Sequence, residues 1–215
     1  MKITQAVRAR AQQILLSFED APDALVDART FEESPYGVGS SLSEQEWEQL
    51  CRTSQQNRLR ERALYLLSGR SYSKKELLRK LERPRKGPAP DAQQALQTAE
   101  RMEQIGLIDD ASYAMRLARD MQQYRHYPRR RIAAELATKG IDRMLIQDAV
   151  DALPEEDGEI ALALLQKRYY NKLSTEQDRK KTADALLRRG FSYQDIRTAM
   201  QRCGNPLQQT EETWL

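Results

Sequence analysis

The chain has 215 residues, of which 31% are charged and only 7% aromatic, and its formal net charge is +3. This length allows one or two ordinary domains or an array of small ones, and the few aromatic residues favour a helical protein with much surface. The two cysteines, Cys51 and Cys203, form no recognisable disulfide framework or zinc motif. Neither a signal peptide nor an apolar run of about 18 residues occurs. We therefore expect a reduced, cytoplasmic protein that makes no contact with a membrane.

Residues 1–42 differ from the rest of the chain and are predicted to form a small N-terminal extension. The apolar run at 14–18, ILLSF, ends at a turn signal, and residues 24–31, ALVDARTF, are a second candidate strand. Residues 34–41 are rich in Gly, Ser and Pro and predict a loop. We expect β-strands here, although residues 14–18 could equally close a helix that begins near Thr4.

From residue 43 onward the sequence predicts almost only helices and short loops. Several segments begin with the spacing of a capping box, in which a hydroxyl accepts from the third helical amide and an acidic or amide side chain returns to the cap. The candidate pairs are Ser43 with Glu46, Ser73 with Glu76, Ser174 with Gln177 and, more loosely, Ser192 with Asp195.

The strongest pattern is an internal repeat at an offset of 50 residues. Residues 129–150 and 179–200 both run from a basic triplet through an apolar helix and a glycine to a second amphipathic helix. A helix precedes each segment, and a third copy with a longer second connection lies at 61–106. The matched pairs are Ile132 with Thr182, Leu136 with Leu186, Gly140 with Gly190, Ile146 with Ile196, Ala114 with Leu164 and Ala118 with Arg168.

This pattern predicts a mainly α fold, an elongated and curved array of three tandem three-helix repeats behind the N-terminal extension. Each trio alone buries little apolar surface, so stacking of neighbours should stabilise the array. The predicted boundaries are 1–42 for the extension, 43–107 for a linking helix and repeat 1, 108–153 for repeat 2, 154–203 for repeat 3 and 204–215 for a C-terminal tail.

Motifs for catalysis or for metal and cofactor binding are absent from the sequence. The single histidine, His126, lies between arginine and tyrosine, and no second histidine or acidic pair follows at helical spacing. No phosphate-cradling loop or nucleophile elbow occurs either. We therefore expect a solvated loop histidine and a protein that is not an enzyme, with no catalytic residue, metal or cofactor.

Residues 127–141, YPRRRIAAELATKGI, are predicted to form a helix whose arginines lie at its N-terminal end, where positive charge is unfavourable. Pro128 suits the first helical position and Gly140 the C-cap. The arginine triplet at 129–131 then lies where the helix dipole disfavours cations by roughly 0.3–1 kcal/mol each. A second basic triplet, at 179–181, occupies the same place in the next repeat. A cost repeated at equivalent positions indicates a surface that binds an anion.

The charge distribution extends this hypothesis over two repeats. Residues 111–141 carry seven basic and two acidic side chains, residues 161–203 carry ten and four, and acidic residues at 155–159 separate them. The alternative interpretation, ordinary solvent-facing cations, is the one we favour for Lys74, Lys80, Arg101 and Arg143. The candidate binding residues are Arg116, Arg119, Arg125, Arg129, Arg130, Arg131, Arg179, Lys180, Lys181, Arg188 and Arg189.

Tyrosines accompany the basic clusters. Tyr113 and Tyr193 stand beside apolar residues at helical spacing and are predicted to belong to the core. Tyr124 and Tyr127 lie next to the arginines, where they could either pack or stack on nucleic-acid bases.

Three segments stand in a fixed order along the helical repeats: LIDDASYAMRLARDM at 107–121, RRRIAAELATKGI at 129–141 and DRKKTADALLRRGFSYQDIRTAM at 178–200. Together they resemble the RecX family of recombinase regulators. Residues 61–81 resemble the first repeat of that family, and 36–50 the segment that precedes it in longer members. The sequence departs from the family at 82–90, ERPRKGPAP, which lengthens the second connection of repeat 1.

The resemblance implies a specific function. RecX proteins are tandem three-helix repeats that bind the RecA filament on single-stranded DNA, lie in its helical groove, and lower its ATPase, strand-exchange and coprotease activities. The expected partners are therefore the RecA filament and single- or double-stranded DNA. We expect the protein to be a monomer when it is not bound to them. Two alternatives stay open: a stand-alone DNA-binding helical module, and a scaffold for another acidic protein. Against the first, no helix resembles a recognition helix rich in Arg, Asn and Gln.

Overall fold

The computed structural model describes residues 1–10, 12–84, 90–169, 173 and 175–203. They fall into two compact units, Met1–Ile108 and Asp109–Leu215. The predicted tail at 204–215 and the predicted cap Ser174 lie outside the described residues. No helix in the described part of the chain is long and apolar enough to cross a membrane.

The first unit begins with a three-stranded antiparallel sheet and a short helix. Their bounds are Ile3–Arg10 for β1, Gln13–Phe18 for β2, Ala24–Asp27 for β3 and Ala28–Glu32 for α1, and the strand order is β1-β2-β3. Buried and half-buried residues alternate along β2, as expected of a strand with one face on a core.

The structure decides both open points of the N-terminal prediction. The strand predicted at 14–18 is confirmed, and a helix from near Thr4 is wrong because residues 3–10 form β1. The strand predicted at 24–31 is only half correct. The side chain of Asp27 accepts from the amide of Thr30 at 2.9 Å, which starts α1 at residue 28.

Three helices complete the first unit: α2 (Glu44–Gly69), α3 (Lys74–Glu82) and α4 (Ala92–Gln104). The predicted caps are confirmed, since Ser43 and Glu46 form a complete capping box and Ser73 accepts from the Glu76 amide. The first half of α2 packs on the sheet, where Trp47 meets Phe18 edge to face at 5.0 Å. Its second half forms a separate small core with α3 and α4.

The second unit holds two three-helix repeats, each with a core of its own. Repeat 2 comprises α5 (Asp110–Arg125), α6 (Arg129–Thr138) and α7 (Arg143–Asp151). Repeat 3 comprises α8 (Asp157–Leu164), which continues as a π-helical turn (Leu165–Tyr169), then α9 (Glu176–Arg188) and α10 (Tyr193–Cys203). The mainly α architecture of three-helix repeats with an N-terminal β-sheet is thus confirmed.

Two glycines end α6 and α9 in the same way and confirm the offset of 50 between these helices. Gly140 has a φ of 78° and Gly190 a φ of 101°, in the left-handed region that favours glycine. In each case the next residue donates its amide to a carbonyl five positions back, which completes a Schellman motif. These donor and acceptor pairs are Ile141 with Leu136 and Phe191 with Leu186, and all four side chains are buried.

The first helices of the two repeats do not follow the offset of 50, so this part of the prediction is wrong. The residues with no exposed surface are Ala114 and Ala118 in α5 but Ala161 and Leu165 in repeat 3, which is a shift of 47 positions. Arg168, the predicted equivalent of Ala118, is exposed. Repeat 3 therefore carries three additional residues between its first and second helices.

Candidate interaction site between repeats 2 and 3

The N-terminus of α6 is capped by a residue of repeat 3. Pro128 is the N-cap and not the predicted first helical residue, and it offers no side-chain hydrogen bond. Instead, the backbone amide of Arg129 donates to both carboxylate oxygens of Asp157, at 3.2 and 3.1 Å. Because a carboxylate there complements the partial positive charge of the helix end, it offsets much of the cost that the arginines impose.

The side chain of Arg129 is also held within the chain. Its Nη2 donates to Glu155 Oε1 at 2.8 Å, and this hydrogen bond is the main reason that the Arg129 pKa is raised. Burial raises the pKa of Asp157, while the hydrogen bond from the Arg129 amide opposes this shift. Glu155 and Asp157 of the acidic stretch at 155–159 are therefore part of the contact between two repeats, whereas the sequence alone showed this stretch only as a separator.

Arg131 is half-buried and packs against residues of the same chain. Its guanidinium lies 4.0 Å from the centre of the Tyr127 ring, in cation–π geometry. On the other side, a Cβ added to Gly190 would lie 2.9 Å from Arg131 Cβ. The C-terminal end of α9, with its partial negative charge, thus lies directly against the first turn of α6.

This packing brings two of the predicted basic clusters together. Arg188 and Arg189 immediately precede Gly190, and Arg130 immediately precedes Arg131. Arg130 and Arg188 are exposed, Arg189 is half-buried, and none of the three forms an ion pair with a described residue. We call Arg130, Arg188 and Arg189 the junction cluster.

The second basic triplet does not lie where the sequence predicted. Helix α9 begins at Glu176 with Thr175 as its N-cap, and its first turn is acidic. Arg179, Lys180 and Lys181 therefore lie in the second turn, so the predicted dipole penalty is wrong for them. Arg179 donates from Nε to the carbonyl of Leu173 at 2.8 Å, and the two lysines are exposed. The triplet begins about 13 Å along the helix axis from the junction cluster.

The three candidate arginines of α5 are all exposed. Arg116 and Arg119 are three positions apart and so share a face of the helix, and Arg125 is its last residue. His126 follows as a left-handed C-cap with a φ of 53° and is exposed, as predicted. Among the described residues, no group of three or more His, Cys, Asp or Glu could hold a metal ion.

The tyrosine predictions are half correct. Tyr113 is buried, as expected. The prediction that Tyr193 belongs to the core is wrong, because Tyr193 is the first residue of α10 and is 76% exposed. Tyr127 packs under Arg131, whereas Tyr124 is 72% exposed. The sequence therefore left Tyr127 between packing and stacking, and the structure shows that it packs. The sequence missed Glu155, Asp157 and Gly190 as parts of the contact between repeats 2 and 3, since their partners, Arg129 and Arg131, are remote in sequence.

Two family models match the second unit. They describe the second three-helix domain of RecX at residues 109–150 and the third at residues 155–200. The chain is also 38% identical over 140 residues to "Regulatory protein RecX" of Xanthomonas axonopodis pv. citri (strain 306), which covers 65% of this chain and 83% of that protein. The chain belongs to the RecX family.

Other RecX proteins agree with this assignment. "Regulatory protein RecX" of Stenotrophomonas maltophilia (strain R551-3) is 37% identical over 142 residues, covering 65% of this chain and 83% of that one. The fold matches "Crystal structure of regulatory protein RecX" with a TM-score of 0.66 and 22% identity, over 93% of this chain and 98% of that one. It also matches "Crystal structure of RecX from Lactobacillus salivarius" with a TM-score of 0.58 and 25% identity, over 70% and 97%.

Proposed function

We propose that this RecX protein acts in the cytoplasm as a monomer that binds the RecA filament on single-stranded DNA. It lies in the groove of the filament and lowers its ATPase, strand-exchange and coprotease activities without catalysing a reaction itself. The regulatory names of the relatives and the RecX resemblance of the sequence support this proposal. The observation that carries it is the junction cluster, where like charges from two repeats converge within the matched region.

Electrostatics explains why such a convergence favours an anionic partner. Arg129 and Arg131 have partners inside the chain. The arginines of the junction cluster, in contrast, form no ion pair with a described acidic residue, so their positive charge is not neutralised. Like charges close together oppose folding, and an acidic protein surface or DNA phosphates would relieve that repulsion. The exposed cations of α5 and α9 extend the contact, so the binding energy is spread over several sites.

The test is the DNA-dependent ATPase of the cognate RecA at physiological salt, with this protein titrated in. The double variant Arg130→Glu/Arg188→Glu reverses the exposed part of the junction cluster and spares the contacts of Arg129 and Arg131. Its control, Arg143→Glu/Arg197→Glu, makes the same charge change at two exposed arginines of the same unit.

We expect the junction variant to raise the concentration for half-inhibition by about tenfold or more and the control by about twofold or less. Equal effects of the two variants would contradict the assignment of the site. Absence of inhibition by the wild-type protein, with retained binding to naked DNA, would instead favour a stand-alone DNA-binding module.

A further inference from the structure

A groove of about 870 Å³ lies within the first unit, outside the residues that the RecX domain models match. One wall is a stripe of α2 that includes Cys51, Arg58 and Tyr65, positions separated by whole turns of the helix. Residues 10, 12 and 13 at the adjoining ends of β1 and β2, Leu25 of β3, and Pro84 and Pro90 also contribute. From Cys51 to Tyr65 the stripe is about 21 Å long, close to the length of six stacked nucleotides.

Positive charge borders this groove. Arg10 and Arg58 are exposed, and neither forms an ion pair with a described residue. Arg62, in contrast, donates from Nη1 to the carbonyls of Leu81 and Arg83, at 3.1 and 2.9 Å, and so is partly committed to the fold. Glu61 is the single acidic residue in the described lining, so the groove is net positive.

The remaining lining suits flat, polar-edged rings. Tyr65 is 70% exposed and Leu25 47% exposed, although both line the groove and neither is covered by the fold. The amides of Gln12, Gln13 and Gln55 supply both donors and acceptors. Arginines for phosphates, an aromatic face for a base and amides for base edges are the components by which proteins bind single strands.

We propose that this groove binds a single strand of nucleic acid, with Arg10 and Arg58 on the phosphates and Tyr65 stacked on a base. An acidic peptide would use the arginines but would leave the exposed ring and the glutamine amides without a matching group. Duplex DNA fits less well, because its bases are stacked and its edges lie inside grooves. The proposal does not rest on the function proposed above, which uses residues of the second unit.

The two cysteines provide the first test on the unmodified protein. Cys51 lines the groove and Cys203 ends α10 in the other unit, and both are half-buried free thiols. Burial raises the pKa of both thiols, so alkylation should be followed at alkaline pH. An oligothymidylate of about 20 nucleotides should slow alkylation of Cys51 by about fivefold or more and leave Cys203 unchanged.

Protection of neither cysteine, or of Cys203 alone, would overturn the proposal. Protection of Cys51 by a polyglutamate peptide of equal charge, and not by the oligonucleotide, would also overturn it in favour of an acidic protein partner.

Matched variants provide the second test, by fluorescence anisotropy of the same labelled oligonucleotide. Arg58→Glu should weaken binding by about tenfold or more and lower the slope of log K against log salt by about 0.7 or more. Tyr65→Ala should weaken binding by about fivefold or more at an unchanged salt slope. Arg60→Glu, an exposed arginine of α2 outside the described lining, should change affinity by about twofold or less.

The result that would contradict the groove is an equal effect of Arg58→Glu and Arg60→Glu, or loss of binding only in Arg130→Glu/Arg188→Glu. The ATPase assay separates the two proposals, because Arg58→Glu leaves the junction cluster intact.

Discussion

The basic triplets of α6 and α9 are equivalent in sequence but differ in structure. In α6 the triplet fills the first helical turn, where Asp157 caps the helix and Tyr127 packs against Arg131. In α9 the helix begins three residues earlier relative to the repeat, its own acidic residues occupy the first turn, and all three cations are exposed. The same residues at the same offset therefore stabilise a contact between repeats in one case and remain on the surface in the other.

The difference shows that charge at a helix end must be interpreted with its tertiary partners. Of the three arginines of α6, the first and third are bound within the chain and the second is exposed. Contacts within the chain and exposure to solvent thus alternate within three consecutive residues. The following predictions test this difference, from the largest expected effect to the smallest.

Gly190→Ala should have the largest effect on stability. The new Cβ would meet Arg131 Cβ at 2.9 Å, and the φ of 101° is strained for any other residue. Gly106→Ala is the control, since its φ is also positive, at 75°, but nothing lies within 4 Å of an added Cβ. By urea denaturation we expect a loss of about 1 kcal/mol for Gly106→Ala and about 2–4 kcal/mol for Gly190→Ala. Equal losses would mean that the close contact contributes nothing.

Asp157→Ala should remove the cap of α6 and cost about 1–2 kcal/mol in the free energy of unfolding. The neighbouring Glu156→Ala serves as control, because Glu156 is exposed and makes no side-chain capping bond, and it should cost about 0.5 kcal/mol or less. A loss of similar size in both variants would indicate that negative charge in this region, rather than a specific cap by Asp157, stabilises the fold.

The ionisation of Asp157 should produce a small pH dependence. Burial raises its pKa in the folded state above the ordinary value of 3.8, so the fold favours the protonated form. The stability from this group is therefore fully present below the unfolded pKa and is lost as pH rises through the folded pKa. Relative to Asp157→Asn, the wild-type protein should gain stability between about pH 7 and about pH 4 in urea denaturation. A relative loss on acidification would contradict this.

The exposed triplet of α9 should contribute least to stability. Lys180→Ala and Lys181→Ala should change the free energy of unfolding by about 0.5 kcal/mol or less, since surface cations without partners matter little. Arg179→Ala should cost slightly more, about 0.5–1.5 kcal/mol, because its hydrogen bond to the Leu173 carbonyl is lost. Equal costs for all three by urea denaturation would show that this bond contributes nothing.

Local patterns allowed much of the fold to be predicted from the sequence. Ser43 and Ser192 begin helices through hydrogen bonds that span three residues, and Gly140 and Gly190 end helices through left-handed geometry that glycine favours. The spacing of these residues encodes the structure directly. The strand at 3–10 was not predicted because most of it is exposed at the edge of the sheet, so its apolar residues do not alternate.

The candidate site could be predicted only as a set of exposed cations. The bond from Arg129 to Asp157 joins residues 28 positions apart, and the contact of Arg131 with Gly190 spans still more. No local spacing encodes such pairs. The shift of the first helix of repeat 3 also depends on which alanine faces the core. The sequence does not show that Ala161, rather than Ala163, is the buried one.

The most direct test of the division of roles within the α6 triplet is urea denaturation of Arg130→Ala beside Arg131→Ala. Arg131 packs against Tyr127 and the end of α9, so its loss should cost about 1–2 kcal/mol. Arg130 is exposed and should change the free energy of unfolding by about 0.5 kcal/mol or less. Equal costs, or a larger cost for Arg130→Ala, would contradict the assignment of one arginine to the fold and its neighbour to the partner.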